Sequence, residues 1–286
     1  LLFAIEKELD SQRAASYYPG IVMMLERIQE VAVDSGCGLM FNEVDVRTGE
    51  VTRDRFSDNW GYNYDAYYAF YMATGEEKYR DLTLRVLENI HRYRNYNWEP
   101  RESSKNGYGA DGYADAIEGA LGLLSHLPVE SAFDWVETET ARFLAMQRRD
   151  GIIEGWHGDG NFARTALMYA FYKTKGAYCT PWNKDLFLAA EENSAGDLEV
   201  YLHSKKAWSG RLCFDPPRHK VFLGMSADYP RINAFPEWFT AEPLEVYLVK
   251  RDGSASGGKV MGSGLISGFE LKLQAGETIR LKIRQL

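Results

Sequence analysis

Three carboxylates, Asp111, Asp115 and Glu118, recur at i, i+4 and i+7 in the segment YGADGYADAIEGALGLL, residues 108–124. At about 100° per residue they share one helix face, beside an apolar stripe of Ala114, Ile117, Leu121 and Leu124. Like charges so placed repel one another, which helix stability alone would not select. Such repulsion makes one carboxyl hold its proton more tightly while a neighbour stays ionised, which is the condition for a general acid and base pair. The plainer alternative is that Asp111 caps the helix and the other two face water.

A second group lies in EGWHGDGNFARTALMYA, residues 154–170, where His157, Asp159, Asn161 and Arg164 crowd beside Trp156. Gly155, Gly158 and Gly160 allow the backbone of this turn to approach a ligand closely. His157 can transfer a proton near neutrality, and Asp159 can orient it or act as the acid itself. A helix N-cap at Asp159 or Asn161 with a surface histidine explains the same residues. No further ligands stand nearby in sequence, so a metal is not expected.

The segment DNWGYNYDAYYAFYMATG, residues 58–75, is dense in aromatics. Flat apolar rings with polar edges match the C–H faces and hydroxyls of sugars. Trp60, Tyr62, Tyr64 and Asp65 lie before or at the start of a helix and count toward a binding site, whereas Tyr67, Phe70 and Tyr71 fit core spacing. Within the β region, DYPRINAFPEWFT, residues 228–240, is too rich in proline and aromatics for an ordinary strand. Its Arg231, Asn233, Glu237 and Trp238 form either a loop leaning onto the helical domain or an interdomain plug. The sequence lacks a phosphate-binding glycine loop, a serine-hydrolase elbow and an HExxH zinc motif.

These residues need elements to hold them. Apolar periodicity predicts helices near 1–12, 20–34, 61–74, 76–93, 111–126, 129–147 and 161–175, joined by short breaks that imply antiparallel hairpins. FNEVDVRTGEVTRDR, residues 41–55, reads as a small hairpin or extended loop. After Pro181 the stretches LFLAA, DLEVYLH, GRLCFD, HKVFL, EVYLVK, FELKL and TIRLKI read as strands, and RDGSASGGK as a hairpin or loop. The expectation is a mainly α domain over 1–180 and a separate all-β antiparallel sandwich over 181–286.

The 286 residues, 45% apolar and 26% charged, suffice for two cores. A net charge of -8 argues against nucleic acid as a partner. The three cysteines are widely spaced and odd in number, and read as buried thiols. No apolar run reaches membrane-span length and no signal peptide is visible. The chain starts at Leu1 within a helical pattern, so it reads as processed, truncated or partial, with a periplasmic or secreted location as the expectation. No cofactor is called for, and oligomeric state is open.

The helical hairpins, the motifs DNWGYNYD, ADGYADAIEGAL and GWHGDGNFART, and the trailing β domain together resemble the (α/α) toroid carbohydrate-active enzymes, at superfamily level and over most of the chain. These include unsaturated glucuronyl hydrolases, related six-hairpin glycosidases and toroid polysaccharide lyases. A full six-hairpin ring needs about twelve helices, so the resemblance implies a toroid incomplete in this chain. By likeness to the hydrolases, Asp111, Asp115 and Asp159 are the acid and base candidates. By likeness to the lyases, His157, Tyr108 and Tyr113 would move protons while Asn161 and Arg164 neutralise a uronate. The expected activity is glycoside hydrolysis of a polysaccharide or oligosaccharide, uronic-acid containing or not. β-Elimination and non-catalytic glycan binding are the alternatives.

Overall fold

The computed structural model describes residues 1–98, 109–155, 157–254 and 256–286, with the side chains of 157 and 158 left aside. The chain divides into two compact units, Leu1–Tyr169 with Met225–Pro236, and Ala170–Gly224 with Glu237–Leu286. The first is helical and the second is built on antiparallel sheets.

The helical unit comprises α1 (Leu2–Leu9), α2 (Ser11–Ala32), the hairpin β1 (Phe41–Val44) and β2 (Val51–Phe56), then α3 (Trp60–Thr74), α4 (Glu77–Ile90), α5 (Asp111–Leu124), α6 (Glu130–Ala145) and most of α7 (His157–Thr174), whose residues from Ala170 onward belong to the second unit. α2 begins well before the expected residue 20, because Asp10 caps it by accepting from the Arg13 N–H at 3.0 Å. Pro19 therefore sits inside the helix. α3 ends at Gly75, whose left-handed φ of 79° suits a residue without Cβ.

α5 packs on α3 and on α6 and is buried almost all round, its acidic residues Asp111 and Glu118 included. The α3–α5 contact is backbone on backbone. A Cβ built on Gly61 would lie 2.5 Å from Gly119 Cα, and one on Gly119 would lie 2.7 Å from Gly61 Cα. Two glycines thus set the closest approach of α3 to α5, and Tyr62 and Glu118 are the next residues along on each side. Gly112 plays a similar part at the start of α5, where a Cβ would meet Trp98 O at 2.4 Å and Asp58 Oδ2 at 2.9 Å.

The second unit holds β3 (Tyr178–Thr180), β4 (Leu186–Glu192), β5 (Leu198–Ser204), β6 (Trp208–Cys213), α8 (Arg218–Val221), β7 (Val246–Arg251), β8 (Gly258–Met261), α9 (Gly262–Ser267), β9 (Phe269–Leu273) and β10 (Thr278–Gln285). One sheet has the order β4-β5-β10-β7-β8 and the other β3-β6-β9. Alternation fixes the register: Leu198, Val200 and Leu202 face Ile283, Leu281 and Ile279 across the β5–β10 pair, and all six enter one core with Trp208, Leu212 and Leu273 of the other sheet. Between them Glu199 pairs with Arg280 and Asp197 with Arg284 and Lys282.

The stretch HKVFL is not a strand. It lies in α8 and the turn after it, because Pro216 and Pro217 supply no ladder N–H and Pro217 O instead accepts from Val221 at 2.9 Å. RDGSASGGK is the connection of the β7–β8 hairpin. Cys37, Cys179 and Cys213 are buried free thiols. No helix among the described residues is long and apolar enough to cross a membrane.

Candidate functional site

The close α3–α5 contact brings Tyr62 over the acidic face of α5. Its hydroxyl lies 2.7 Å from Glu118 Oε2 and 3.3 Å from Asp115 Oδ1. Those two oxygens can be no further apart than the sum of these lengths, so two carboxylates from one helix face share one phenol. α7 supplies the counter-charge: Arg164 Nε donates to Glu118 Oε1 at 2.9 Å, and its Nη2 lies 2.5 Å from Glu118 Oε2 and 3.2 Å from the Tyr62 hydroxyl. Thr165, one residue on, donates to Glu118 Oε1 at 2.6 Å. Glu118 is 3% exposed and fully engaged.

Asp115 is engaged far less. Arg164 Nη2 stands 3.9 Å away, and its one side-chain hydrogen bond among the described residues comes from Tyr62. Burial, then the charges of Asp111, Asp58 and Glu118, push its carboxyl up to about 7, against the pull of the Tyr62 hydroxyl. Burial and the same two neighbouring carboxylates hold the Tyr62 phenol far above its ordinary range, so it stays a hydrogen-bond donor at neutral pH.

Asp111 does not cap α5 with its side chain. It is buried and accepts from the Asn161 amide. The start of α5 is tied down instead by Glu154, which accepts from the Ala110 N–H at 2.5 Å. Asp159 lies in the first turn of α7 and gathers the backbone N–H groups of Ile153, Glu154 and Gly155 at 2.7, 3.0 and 2.6 Å. It shapes the loop that carries Glu154 to α5. The structure gives Asp159 this positioning role rather than that of a free acid.

Tyr62, Asp65, Glu118, Gly122, Arg164 and Arg231 line a cavity of about 320 Å³ within the helical unit. Asp115, 3.3 Å from the Tyr62 hydroxyl, is not among the lining residues. Arg231 is carried by the segment 225–236, which belongs to this unit, and its guanidinium stacks 3.9 Å over the Tyr62 ring. Glu237, assigned with Trp238 to the second unit, accepts from the His219 backbone at 2.8 Å and from its Nδ1 at 2.9 Å.

Three expected ligand contacts are corrected. Trp60 and Tyr64 are fully buried, since α3 begins at Trp60 itself and not beyond it. Trp60 packs edge-on against Trp135, and Tyr64 donates to Gly38 O at 2.6 Å. Tyr113 is 3% exposed, with its hydroxyl accepting from Arg142 at 3.1 Å and its ring beneath that guanidinium. Tyr108 and Trp156 lie outside the described residues, as does the side chain of His157. Asp58 and Thr165 are neighbours of the site that the sequence did not mark, although Asp58 opens the DNWGYNYD motif, while Arg231 comes from the 228–240 segment read as a loop leaning onto the helical domain or an interdomain plug.

Removing Arg164 should be costly, because Glu118 would stay buried without its cation. Arg164→Met is expected to destabilise the protein by about 3 kcal/mol, and Glu118→Leu combined with Arg164→Met to recover most of the loss. Thermal denaturation of the two variants checks this, and equal melting points would show that the pair does not act as one.

No protein-family model matches the chain, and no curated protein matches it. Among solved structures it is similar to a GH127 β-L-arabinofuranosidase from Geobacillus stearothermophilus T6, at 14% sequence identity and a TM-score of 0.31. The match covers 80% of this chain and 42% of that one, so the chain spans less than half of that protein's length.

Proposed function

We propose that the helical unit carries the catalytic centre of a glycoside hydrolase acting on a polysaccharide or its oligosaccharides. The observation that carries the reading is Asp115: a carboxyl pushed up to about 7, largely free of partners, beside a second carboxylate locked as an ion pair. A carboxylic acid still protonated near neutral pH can deliver a proton to a leaving glycosidic oxygen. Glu118, fixed by Arg164 and Thr165, places negative charge beside the positive charge that develops on the sugar ring. Asp58, half-buried against the first turn of α5, is the carboxylate we assign to activating water. In this reading the paired helices belong to an (α/α) toroid and the two sheets form its trailing sandwich.

β-Elimination is supported less well. Tyr113 is buried beneath Arg142, and Tyr62 keeps its proton too firmly to serve as a base at neutral pH. The test is incubation with a panel of neutral and acidic glycans, following new reducing ends and the ultraviolet absorbance of unsaturated uronates together. Reducing ends without that absorbance are expected. A matching rise in absorbance would overturn hydrolysis, and no turnover with retained glycan binding would favour a non-catalytic role.

A further inference from the structure

Asp65 has no part in the acid chemistry above, yet it is the most anomalous group in the helical unit. It is 5% exposed, lines the cavity beside Gly122, and neither carboxyl oxygen has a hydrogen-bond partner among the described residues. Proteins rarely leave such a group unsatisfied without a use for it. Burial pushes its carboxyl well above the ordinary aspartate range, against the pull of the Arg231 charge, so it keeps its proton.

Arg231 is anomalous in a complementary way. It adopts a left-handed backbone at φ 61°, which a residue with a side chain seldom keeps unless its surroundings impose it. Among the described residues its guanidinium makes no ion pair and no hydrogen bond, and it lies 3.9 Å over the Tyr62 ring in the wall of the same cavity. Its segment is anchored by Ser226, which bonds to Glu8 through both its N–H and its hydroxyl, at 2.9 and 2.8 Å.

One cavity therefore presents an unsatisfied carboxyl group and an unsatisfied guanidinium, with a phenol ring between guanidinium and acid helix. A hydroxyl both donates and accepts, so a vicinal diol can satisfy a carboxyl group and a guanidinium together. A ligand carboxylate only accepts. It would meet the carboxyl groups of Glu118 and Asp228 in the same lining. We infer that this cavity is a subsite for an uncharged glycosyl residue, held through adjacent hydroxyls by Asp65 and Arg231. The inference rests on the glycosidase reading and narrows its substrate to one with a neutral sugar at this position.

The experiment is calorimetric titration of the wild-type chain with the methyl glycosides of glucose, galactose and mannose and of their uronic acids. At least one neutral glycoside should bind tenfold or more tightly than its uronic counterpart. Asp65→Leu, which replaces an unsatisfied buried acid by an apolar side chain of similar size, should lose that binding tenfold or more while its melting temperature holds or rises. Arg231→Met should weaken the same glycoside. Uronic acids binding more tightly, Asp65→Leu binding within twofold of wild type, or no binding by any neutral member would each overturn the inference. The two readings fail separately: neutral sugars bound without turnover of any glycan would sink hydrolysis alone, and turnover confined to uronides would sink the neutral subsite alone.

Discussion

Asp115→Asn is expected to lower kcat by about 10²–10⁴-fold, the range lost when a general acid is removed, with KM little changed because Asp115 lies outside the cavity lining. The Tyr62 hydroxyl can still donate to the asparagine oxygen, so the fold should survive. In the wild type the rate should fall as pH rises through about 7, where Asp115 gives up its proton. The variant's residual rate should lack that break. Stability carries the same signature with a fixed sign. The folded-state carboxyl titrates at about 7 and the unfolded one near 3.8, the ordinary value of an aspartate. The contribution is therefore complete below the lower value and is lost as pH rises through the higher one, by about 4 kcal/mol for a shift of this size. Asp115→Asn should abolish that slope and melt higher than wild type at pH 8 relative to pH 4. A kcat within threefold of wild type, or parallel melting curves at both pH values, would remove Asp115 from the acid role.

Much of this was written in the periodicity. The acidic stripe of α5 was visible as 111, 115 and 118, and so was the change from helix spacing to strand alternation after residue 181. What periodicity cannot say is which polar face is buried. Asp111, Asp115 and Glu118 read equally well as a solvated surface, and only the partners brought by α3 and α7 decide otherwise. The same limit explains Trp60 and Tyr64, whose burial depends on where α3 starts by a residue or two. HKVFL has strand composition, but the prolines before it remove the backbone donors a strand needs. Asp58 was hard to see for another reason: it becomes relevant through a neighbour distant in sequence, Gly112. The segment of Arg231 was visible, but its partner Tyr62 was not. A positive φ at an arginine has no sequence signal at all.

Gly119→Ala should be among the most damaging single-methyl changes in the helical unit. In an exposed helix the same change stabilises by up to about 1 kcal/mol, because alanine is the better helix former. Gly20 in α2 is such a position, with nothing within 4 Å of an added Cβ, and Gly20→Ala should leave the melting temperature unchanged or raise it. At Gly119 the new methyl would lie 2.7 Å from Gly61 Cα and 3.1 Å from the Tyr62 nitrogen. Backbone cannot rotate aside as a side chain does, so α3 and α5 must separate. Overpacking of this kind costs about 3 kcal/mol, a fall in melting temperature of about 10 °C for a unit of this size. The separation also lifts Tyr62 from Asp115 and Glu118, and a displacement of about 1 Å in a catalytic group can cost about 10²-fold in rate. Gly61→Ala should reproduce both effects, since it meets the same contact from the other side. Opposite signs at Gly20 and Gly119 would tie the loss to the close approach of the two helices. Equal signs would mean that something other than the glycine contact holds Tyr62 over the acidic face.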